Sequence, residues 1–224
     1  MGKWKLADLV CGGGGAAWGY AQTGQFEITG FDIEEQPHYP FRFVRADMLT
    51  LDLSGFDAIH LSAPCERWAQ ATLGQRRRGK EYPDLITPMR PRLDAAGVPY
   101  VMENVTQAPL RPDLELCGCM FGREIDGMQL RRLRRFELSW RPRVRPMAHD
   151  HHGPAISICG HGTPAWQRKI TGHVPVAKWR EVMQIGWLNR AELTEAVPPA
   201  YTAFVGGLLV RWLVHEARVL RAAS

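Results

Sequence analysis

The chain has 224 residues, a hydrophobic content of 45% and a formal net charge of +5. This length suits one α/β domain with a small appendage, and the apolar content is ample for a buried core. No apolar run is long enough to cross a bilayer, and the N-terminus carries no signal-peptide pattern. The five cysteines, an odd number, argue against a disulfide framework. We therefore expect a cytoplasmic protein whose thiols stay reduced.

The first half of the chain alternates short apolar runs with turn residues, which predicts a mostly parallel sheet. Predicted strands cover residues 6–10, 27–31, 41–45, 58–62 and 100–105. A short helix is expected over residues 16–23, and a crossover helix over 84–96 that Pro88 and Pro91 shorten or kink. Several polar groups fall at the ends of these strands, namely Asp32, Asp47, Cys65 and Glu103. In an open α/β sheet, the carboxyl ends of the strands are where ligands bind.

The second half is less regular. Proline, histidine and glycine are frequent from residue 141 to 175, which favours a small specificity region without long elements. Helices are predicted over residues 178–185 and 191–196, and a long amphipathic helix over 201–221 should pack back on the sheet. We therefore divide the chain into a catalytic and cofactor-binding core (1–137), a small recognition region (138–176) and a C-terminal part (177–224) that returns to the core.

Positive charge is concentrated in two places. Between Arg123 and Arg145, eight arginines accompany three acidic residues, a local net charge of +5, and a second cluster is Arg76-Arg77-Arg78-Gly79-Lys80. Concentrated cations favour phosphate-bearing partners, because each phosphate contact releases condensed counterions. The alternative for either cluster is a solvated charged surface.

A glycine run, Asp8-Leu9-Val10-Cys11-Gly12-Gly13-Gly14-Gly15, follows the first predicted strand and opens a helix. Glycines let the backbone approach a ligand closely, and the helix start offers unpaired N–H donors. The run lacks the Gly-Lys-Ser/Thr ending of a phosphate-binding loop, which disfavours a nucleoside triphosphate. Because Asp32 and Asp47 could accept from ribose hydroxyls and an adenine amino group, we prefer a nucleoside-containing cofactor to a simple packing turn.

Cys65 follows Pro64 on a loop at the same sheet edge. A lone cysteine is usually a small buried hydrophobic residue, but the stiff loop, Arg67 and residues 76–78 would favour a reactive thiolate here. Glu103 ends the next strand. As a buried acid with a raised pKa, it could donate to a ring nitrogen of a base while its other oxygen accepts from an amino group. The alternative is a structural ion pair.

Three short segments contain enough soft ligands for zinc, namely Cys117-Gly118-Cys119, His149-Asp150-His151-His152 and Cys159-Gly160-His161. Their spacings match no common zinc module, since two cysteines separated by one residue are a poor pair of tetrahedral ligands. We therefore expect no metal site, and favour polar loop residues or contacts with nucleic acid.

Taken in order, these motifs resemble those of the DNA cytosine-5 methyltransferases, in a small phage-type form, over nearly the whole chain. The glycine run is similar to the family motif that holds S-adenosylmethionine, and Ala196-Val197-Pro198-Pro199-Ala200-Tyr201-Thr202 to the motif that closes the cofactor pocket. The resemblance implies a Rossmann-like S-adenosylmethionine-dependent methyltransferase fold. It also implies a set of cofactor-binding residues: Asp8, Cys11, Gly12, Gly13, Gly14, Asp32, Ile33, Asp47, Met48, Tyr201 and Thr202.

Pro64-Cys65, Glu103-Asn104-Val105 and Arg132-Leu133-Arg134-Arg135-Phe136 match the catalytic motifs of the same family. The resemblance implies that Cys65, Glu103, Arg132 and Arg134 are catalytic. It places these residues on substrate or DNA: Pro64, Asn104, Arg76, Arg77, Arg78 and Arg131. The chain departs from the family at Ala63, Glu66 and Leu133, which stand where a proline, a glutamine and often a histidine occur, and it has no full-sized target-recognition domain.

The resemblance implies methylation of C5 of a flipped-out cytosine in DNA, by a protein of a bacterial host or phage-infected cell, with a monomer favoured. Two alternatives stay open. The first is C5 methylation, or a related modification, of a free cytidine nucleotide, which Glu66 and the small recognition region motivate. The second is a catalytically silent DNA-binding protein, against which the presence of both Cys65 and Glu103 argues.

Overall fold

The computed structural model describes residues 2–159 and 165–223. Its first half contains, in chain order, β1 (Trp4–Leu9), α1 (Gly15–Gln22), β2 (Phe26–Asp32), β3 (Arg42–Arg45), β4 (Ala58–Ser62), α2 (Leu73–Arg77), α3 (Ile86–Ala95) and β5 (Tyr100–Asn104). The second half contains β6 (Leu114–Leu116), β7 (Glu124–Ile125), β8 (Met128–Leu130), β9 (Arg134–Leu138), β10 (Ala155–Ile156), α4 (Ala165–Thr171), α5 (Val176–Met183), α6 (Arg190–Glu195) and α7 (Pro199–Ala223). Short 3₁₀ turns occupy Gln70–Thr72 and Gly118–Phe121.

The main sheet has seven strands in the order β3-β2-β1-β4-β5-β9-β6. The strands β1 to β5 pair in parallel, and β9 runs antiparallel between β5 and β6. A small second sheet, in the order β10-β8-β7, lies in the irregular half of the chain. The mostly parallel α/β sheet predicted from the first half is confirmed.

Helices cover both faces of the main sheet. Leu6 and Phe136 belong to one core together with Tyr20 of α1 and Leu209 of α7. On the opposite face, the core that contains Leu9, Ile59 and Met102 also contains Ile86, Met89 and Leu93 of α3. Coverage on both sides explains why the central strands are nearly continuous apolar runs. It also means that a polar group inside these strands is buried unless it lies at a strand end.

The contact between α1 and α7 depends on a glycine. A Cβ added at Gly19 would lie 2.1 Å from Oγ1 of Thr202 and 2.2 Å from the carbonyl oxygen of Pro199. Only a residue without a side chain allows this approach. The long predicted helix is confirmed, and it starts at Pro199 because proline is favoured in the first turn, where its missing N–H costs nothing. No described helix is long and apolar enough to cross a membrane.

Two parts of the secondary structure differ from expectation. The crossover helix begins at Ile86 rather than at residue 84, because the Asp84 carboxylate accepts from the backbone N–H groups of Ile86 and Thr87, at 3.0 Å each, and caps the helix. The sequence analysis also missed the short helices α2 and α4 and the short strands β6 to β10, which lack a readable period. One signal was available: Asp126 and Gly127, both with positive φ, form the turn of the β7–β8 hairpin.

Candidate active site

The carboxyl ends of β4 and β5 bring the cysteine loop and the glutamate together. Ser62 pairs with Glu103 across these parallel strands, and the Cys65 loop begins directly after Ser62. Asn104 holds this loop, since its Nδ2 donates to the carbonyl oxygen of Ala63 at 2.7 Å. Its Oδ1 accepts from the backbone N–H of Val105 at 2.9 Å. Asn104, predicted to contact substrate, therefore ties β5 to the loop that carries Cys65.

Glu103 is buried, with 5% of its surface exposed. The Nε atom of Arg134 lies 3.0 Å from Oε1 of Glu103, but this oxygen has no well-aligned hydrogen-bond donor among the described residues. Burial raises the pKa of Glu103, while the charges of Arg134 and Arg132 and a hydrogen bond from Ser62 lower it in part. The carboxyl group thus has an elevated pKa and one oxygen open to a further partner.

Cys65 is partly exposed and forms no disulfide bond. Burial raises the pKa of its thiol, Arg134 and Arg132 lower it, and Glu66 and Glu103 raise it. The sulfur therefore lies within electrostatic range of Glu103 and both arginines of the Arg132–Phe136 motif. Glu66, next to Cys65 in the sequence, therefore disfavours the thiolate.

The proposed activation of Cys65 by Arg67 and the 76–78 cluster is not what the structure provides, because the pKa of the thiol is raised. Arg76 donates to the carbonyl oxygens of Glu66 and Arg67, and Arg67 donates to the carbonyl oxygen of Tyr82 at 2.7 Å. These two guanidinium groups stabilise the loop rather than the thiolate. Arg77 and Arg78 are exposed, as is Pro64.

The side chain of Arg132 stabilises the fold through hydrogen bonds to the backbone. Its guanidinium donates to the carbonyl oxygens of Ile158, at 2.9 Å, and Thr194, at 2.5 Å. Burial and the neighbouring Arg134 lower its pKa to about 9, so the group stays charged at neutral pH. Arg131, which was predicted to contact DNA, donates to Gln129 and to the carbonyl oxygen of Gly153. Both arginines thus connect β8 and β9 to the irregular region.

A chain of buried polar groups behind Glu103 escaped the sequence analysis. The Tyr20 hydroxyl lies 3.0 Å from Nδ1 of His60, and Nε2 of His60 lies 2.8 Å from Oγ of Ser62. Burial lowers the pKa of His60 to about 3, so the ring is neutral. Tyr20 can donate to Nδ1, the Nε2–H group to Ser62, and Ser62 to Glu103. Their spacing puts His60 and Ser62 on one face of β4, but nothing in the sequence marks the contact with Tyr20.

The glycine run forms a tight turn in which the backbone N–H of Gly12 donates to Oδ2 of Asp32 at 3.0 Å. Gly12 and Gly14 have φ values of 47° and 86°, which favour glycine. Gly13 serves packing, since an added Cβ would lie 2.4 Å from Cδ2 of Leu188. Nε1 of Trp187, a residue not predicted, donates to the carbonyl oxygen of Gly13 at 3.1 Å. The turn thus serves both purposes considered above: Gly13 packs against Leu188, and the space beside Gly12 is open.

The other predicted cofactor residues of the first half lie at different depths. Ile33 is 59% exposed directly after β2, and Asp47 is exposed while Met48 is buried. Asp8 is fully buried, with the Tyr39 hydroxyl donating to its Oδ2 at 3.1 Å and no partner for Oδ1 among the described residues. Burial raises the pKa of Asp8 to about 8, and it also raises that of the Cys11 thiol.

Tyr201 and Thr202 are fully buried in α7. The Tyr201 hydroxyl donates to the carbonyl oxygen of Arg132 at 2.8 Å, and its ring stacks on Phe121. The Thr202 hydroxyl donates to the carbonyl oxygen of Pro199 at 3.3 Å. The structure thus gives both side chains packing partners within the chain, and their contact with a cofactor stays a prediction.

Carboxylates gather between the glycine turn and the cysteine loop. Burial raises the pKa of Glu195, the negative charges of Glu66 and Asp32 raise it further, and the positive charge of Arg132 lowers it in part. Three acidic side chains from distant parts of the sequence therefore interact in one region. A cationic ligand would relieve their mutual repulsion.

The Cys/His segments come together, against the expectation from their spacing. One ligand atom from each of Cys117, Cys119, His149 and His151 lies within 4.8 Å of the others. The 3₁₀ turn at Gly118–Phe121, which contains Cys119, and the stretch before β10, which contains both histidines, converge, and sequence spacing does not show this. Cys159 is not part of this group, and His161 lies outside the described residues.

A comparison with protein-family models finds no match, and neither does one with curated proteins. Among solved structures, the chain is similar to S. pombe Dnmt2 methyltransferase, with a TM-score of 0.53 and 10% identity over 94% of this chain and 99% of that one. It is also similar to the Entamoeba histolytica methyltransferase EhMeth, with a TM-score of 0.51 and 10% identity over 97% and 99%. For three other solved chains, the alignment spans only 32%, 48% and 52% of their own length.

The similarity to the first two proteins extends over nearly the full length of this chain and of each of those chains, and the sequence identity is low. It therefore concerns the fold. Together with the parallel sheet, its antiparallel β9 and helices on both faces, it shows that the chain has the Rossmann-like α/β fold that these two methyltransferases have.

Proposed function

We propose that this protein transfers a methyl group from S-adenosylmethionine to C5 of a cytosine in DNA. The observation that carries the proposal is the convergence of Cys65, Glu103 and Arg134 at one sheet edge. A partly exposed thiol lies within electrostatic range of a buried acid of raised pKa, and the charge of Arg134 acts on both. A silent binding protein would have no need for a thiol and an acid placed side by side at the ligand edge.

The residues around the glycine turn fit S-adenosylmethionine. The open backbone at Gly12, the buried Asp32 and the exposed side chain of Ile33 would meet its nucleoside part. The acidic group formed by Asp32, Glu66 and Glu195 suits a ligand that carries both a sulfonium and an ammonium charge. Bound here, S-adenosylmethionine would supply a methyl group on an excellent leaving group.

In the proposed mechanism, the Cys65 thiolate adds to C6 of the cytosine ring and forms a carbon–sulfur bond. Glu103 donates its proton to N3 and accepts from the 4-amino group, so that the electrons displaced from the C5–C6 double bond collect at C5, the atom that is methylated. Loss of the C5 proton to a base, with return of the N3 proton, then breaks the carbon–sulfur bond and restores the ring. Arg134 would hold Glu103 and stabilise the thiolate.

DNA is the favoured substrate because of the cationic surroundings. A groove runs between residues 130–134 and 155–159, close to Arg131, Arg132 and Arg134, and Arg77 and Arg78 are exposed beyond the cysteine loop. Phosphates would meet the exposed Arg77 and Arg78, and residues 138–176 would form the small recognition region. A cytosine within a duplex must be flipped out, at a cost of a few kcal/mol.

The free nucleotide remains the second candidate because of Glu66. Its negative charge raises the pKa of the Cys65 thiol. The phosphates of a polynucleotide would add more negative charge at the same place. A small substrate such as dCMP could place its single phosphate elsewhere.

To test the proposal, the purified chain is incubated with methyl-labelled S-adenosylmethionine and, separately, duplex DNA, single-stranded DNA or dCMP. Nucleoside mass spectrometry then identifies the product. We expect 5-methylcytosine in DNA and none with dCMP. Product on dCMP alone would move the assignment to the second candidate, and no altered cytosine in any arm would contradict C5 methylation.

Cys65→Ser supplies the mechanistic test. We expect methyl transfer to fall by about a thousandfold or more, because an alcohol is a far weaker nucleophile than a thiolate. The circular dichroism spectrum of Cys65→Ser should match that of the wild type, so that the loss of activity is not a loss of fold. DNA containing 5-fluorocytosine should trap the wild-type chain covalently, and near-normal activity of Cys65→Ser would exclude the scheme.

A further inference from the structure

We propose that Cys117, Cys119, His149 and His151 bind a structural zinc ion. Their ligand atoms lie within 4.8 Å of one another. Sγ of Cys117 is 3.5 Å from Nε2 of His151, and Nε2 of His149 is 3.0 Å from the same nitrogen. The ligand–ligand edges of a zinc tetrahedron of two sulfurs and two nitrogens are about 3.4–3.8 Å. The four atoms thus need only small shifts to surround the ion.

A close backbone contact sets the cysteine side of the site. Cys117 follows β6, and Cys119 lies in the 3₁₀ turn Gly118–Phe121. A Cβ added at Gly118 would lie 2.3 Å from the carbonyl oxygen of Leu130 and 2.7 Å from its Cβ. Glycine between the two cysteines therefore lets the turn pack directly on the end of β8. This packing fixes two sulfur ligands only one residue apart.

A buried amide supports the histidine side. Gln129 of β8 is 2% exposed. Its Nε2 donates to the carbonyl oxygen of Asp150 at 3.1 Å, and its Oε1 accepts from the backbone N–H of His152 at 3.1 Å. The backbone on both sides of His151 is thereby held in place. Support of this kind, behind the ligands, is typical of metal sites.

Zinc is the ion that best matches this set. Two thiolates with two imidazoles are soft and borderline ligands, and four protein ligands leave no position for water, so the site is structural rather than catalytic. Without a metal, His149 and His151 could share one hydrogen bond and Cys117 could donate to His151. Such pairing leaves Cys119 outside the histidine contacts, whereas one ion engages all four groups.

The position of the site suggests its effect. The cysteine pair precedes, and the histidine pair follows, the segment that contains β7, β8, β9, Arg132 and Arg134. A zinc ion would close this segment into a loop and hold the start of the proposed recognition region against the core. The inference does not depend on methyl transfer, and its test uses metal content.

The experiment measures zinc in the full chain, purified from zinc-supplemented cells and dialysed, by elemental mass spectrometry. We expect about one zinc ion per chain, as for a single four-ligand site. Cys119→Ser and His149→Gln should each lower this content about tenfold or more. The matched controls His152→Gln and Cys159→Ser, neighbours outside the quartet, should keep it. Equal zinc in the wild type and the ligand variants would overturn the proposal, as would its loss in the Cys159→Ser control.

A second measurement guards against variants that fail to fold. The wild-type chain is stripped with a chelator and titrated with Co²⁺, which reports tetrahedral thiolate ligation by strong visible and near-ultraviolet absorption. We expect these bands to appear and then to disappear when Zn²⁺ is added. A chain that remains folded by circular dichroism but shows no such bands would also overturn the proposal.

Discussion

At the scale of single residues, the candidate site combines a reactive pair with a buried supporting chain. Cys65 and Glu103 could be predicted from the sequence, because both lie in short motifs at the ends of predicted strands. Ser62, His60 and Tyr20 could not, because their importance arises from contacts across the sheet and to α1. For the same reason, the sequence did not show which arginines lower the pKa of Cys65. They are Arg134 at the start of β9 and Arg132 just before it, not the 76–78 cluster that is nearer in sequence.

Ser62→Ala should shift the alkaline limb of the pH profile of kcat/KM to higher pH. Ser62 donates to Glu103 and lowers its pKa, so its removal raises that pKa, and Glu103 keeps its proton to a higher pH. We expect the alkaline limb to move by about one pH unit, which is the effect of losing one hydrogen bond to a charged group. The measurement is methyl transfer across pH. Ser62→Thr, which keeps a hydroxyl, should retain the wild-type profile, and an unmoved limb in Ser62→Ala would contradict this role.

At the scale of elements, strands and helices with a clear period were predicted to within a few residues, and the long α7 is an example. The antiparallel β6 to β9 were missed because two to five residues carry no readable period. The proximity of the cysteine and histidine side chains could not be predicted from their spacing for a related reason. Close packing of a turn on β8 decides where the two sulfurs lie, and no property of the short segment alone shows it.

Gly19→Ala should destabilise the α1–α7 contact. Its Cβ would overlap Oγ1 of Thr202 and the carbonyl oxygen of Pro199, so we expect the free energy of unfolding to fall by about 2 kcal/mol. Gly207→Ala in α7 is the matched control, since only the flexible end of Arg211 lies near its added Cβ. That change should raise the free energy of unfolding by up to about 1 kcal/mol. Guanidinium unfolding measures both, and equal effects would contradict the packing account.

At the scale of the whole molecule, helices bury both faces of the sheet, so an ionisable group in a central strand favours its neutral form. Asp8 illustrates this, because burial raises its pKa to about 8. The folded chain therefore keeps the Asp8 proton where the unfolded chain releases it. Its contribution to stability is complete below about pH 4, declines as the pH rises towards 8, and is constant above that.

Asp8→Asn should remove this decline. Asparagine can still accept from the Tyr39 hydroxyl, so the variant tests the titration rather than the hydrogen bond. Wild-type stability should lose about 1.4 kcal/mol per pH unit in this window relative to the variant. Guanidinium unfolding at about pH 5 and pH 7 gives the comparison. The same pH dependence in both proteins would show that Asp8 titrates normally.

The pairing of α1 with α7 has a consequence for biosynthesis. α1 (Gly15–Gln22) leaves the ribosome long before its partner α7 (Pro199–Ala223) is synthesised. Until then, the nascent polypeptide exposes the apolar surface around Tyr20, which makes it a target for chaperones and prone to aggregation. Fragments that stop after β5 should not fold, although they contain Cys65 and Glu103. Assembly of the fold therefore waits for α7 and depends on contacts between residues far apart in the sequence.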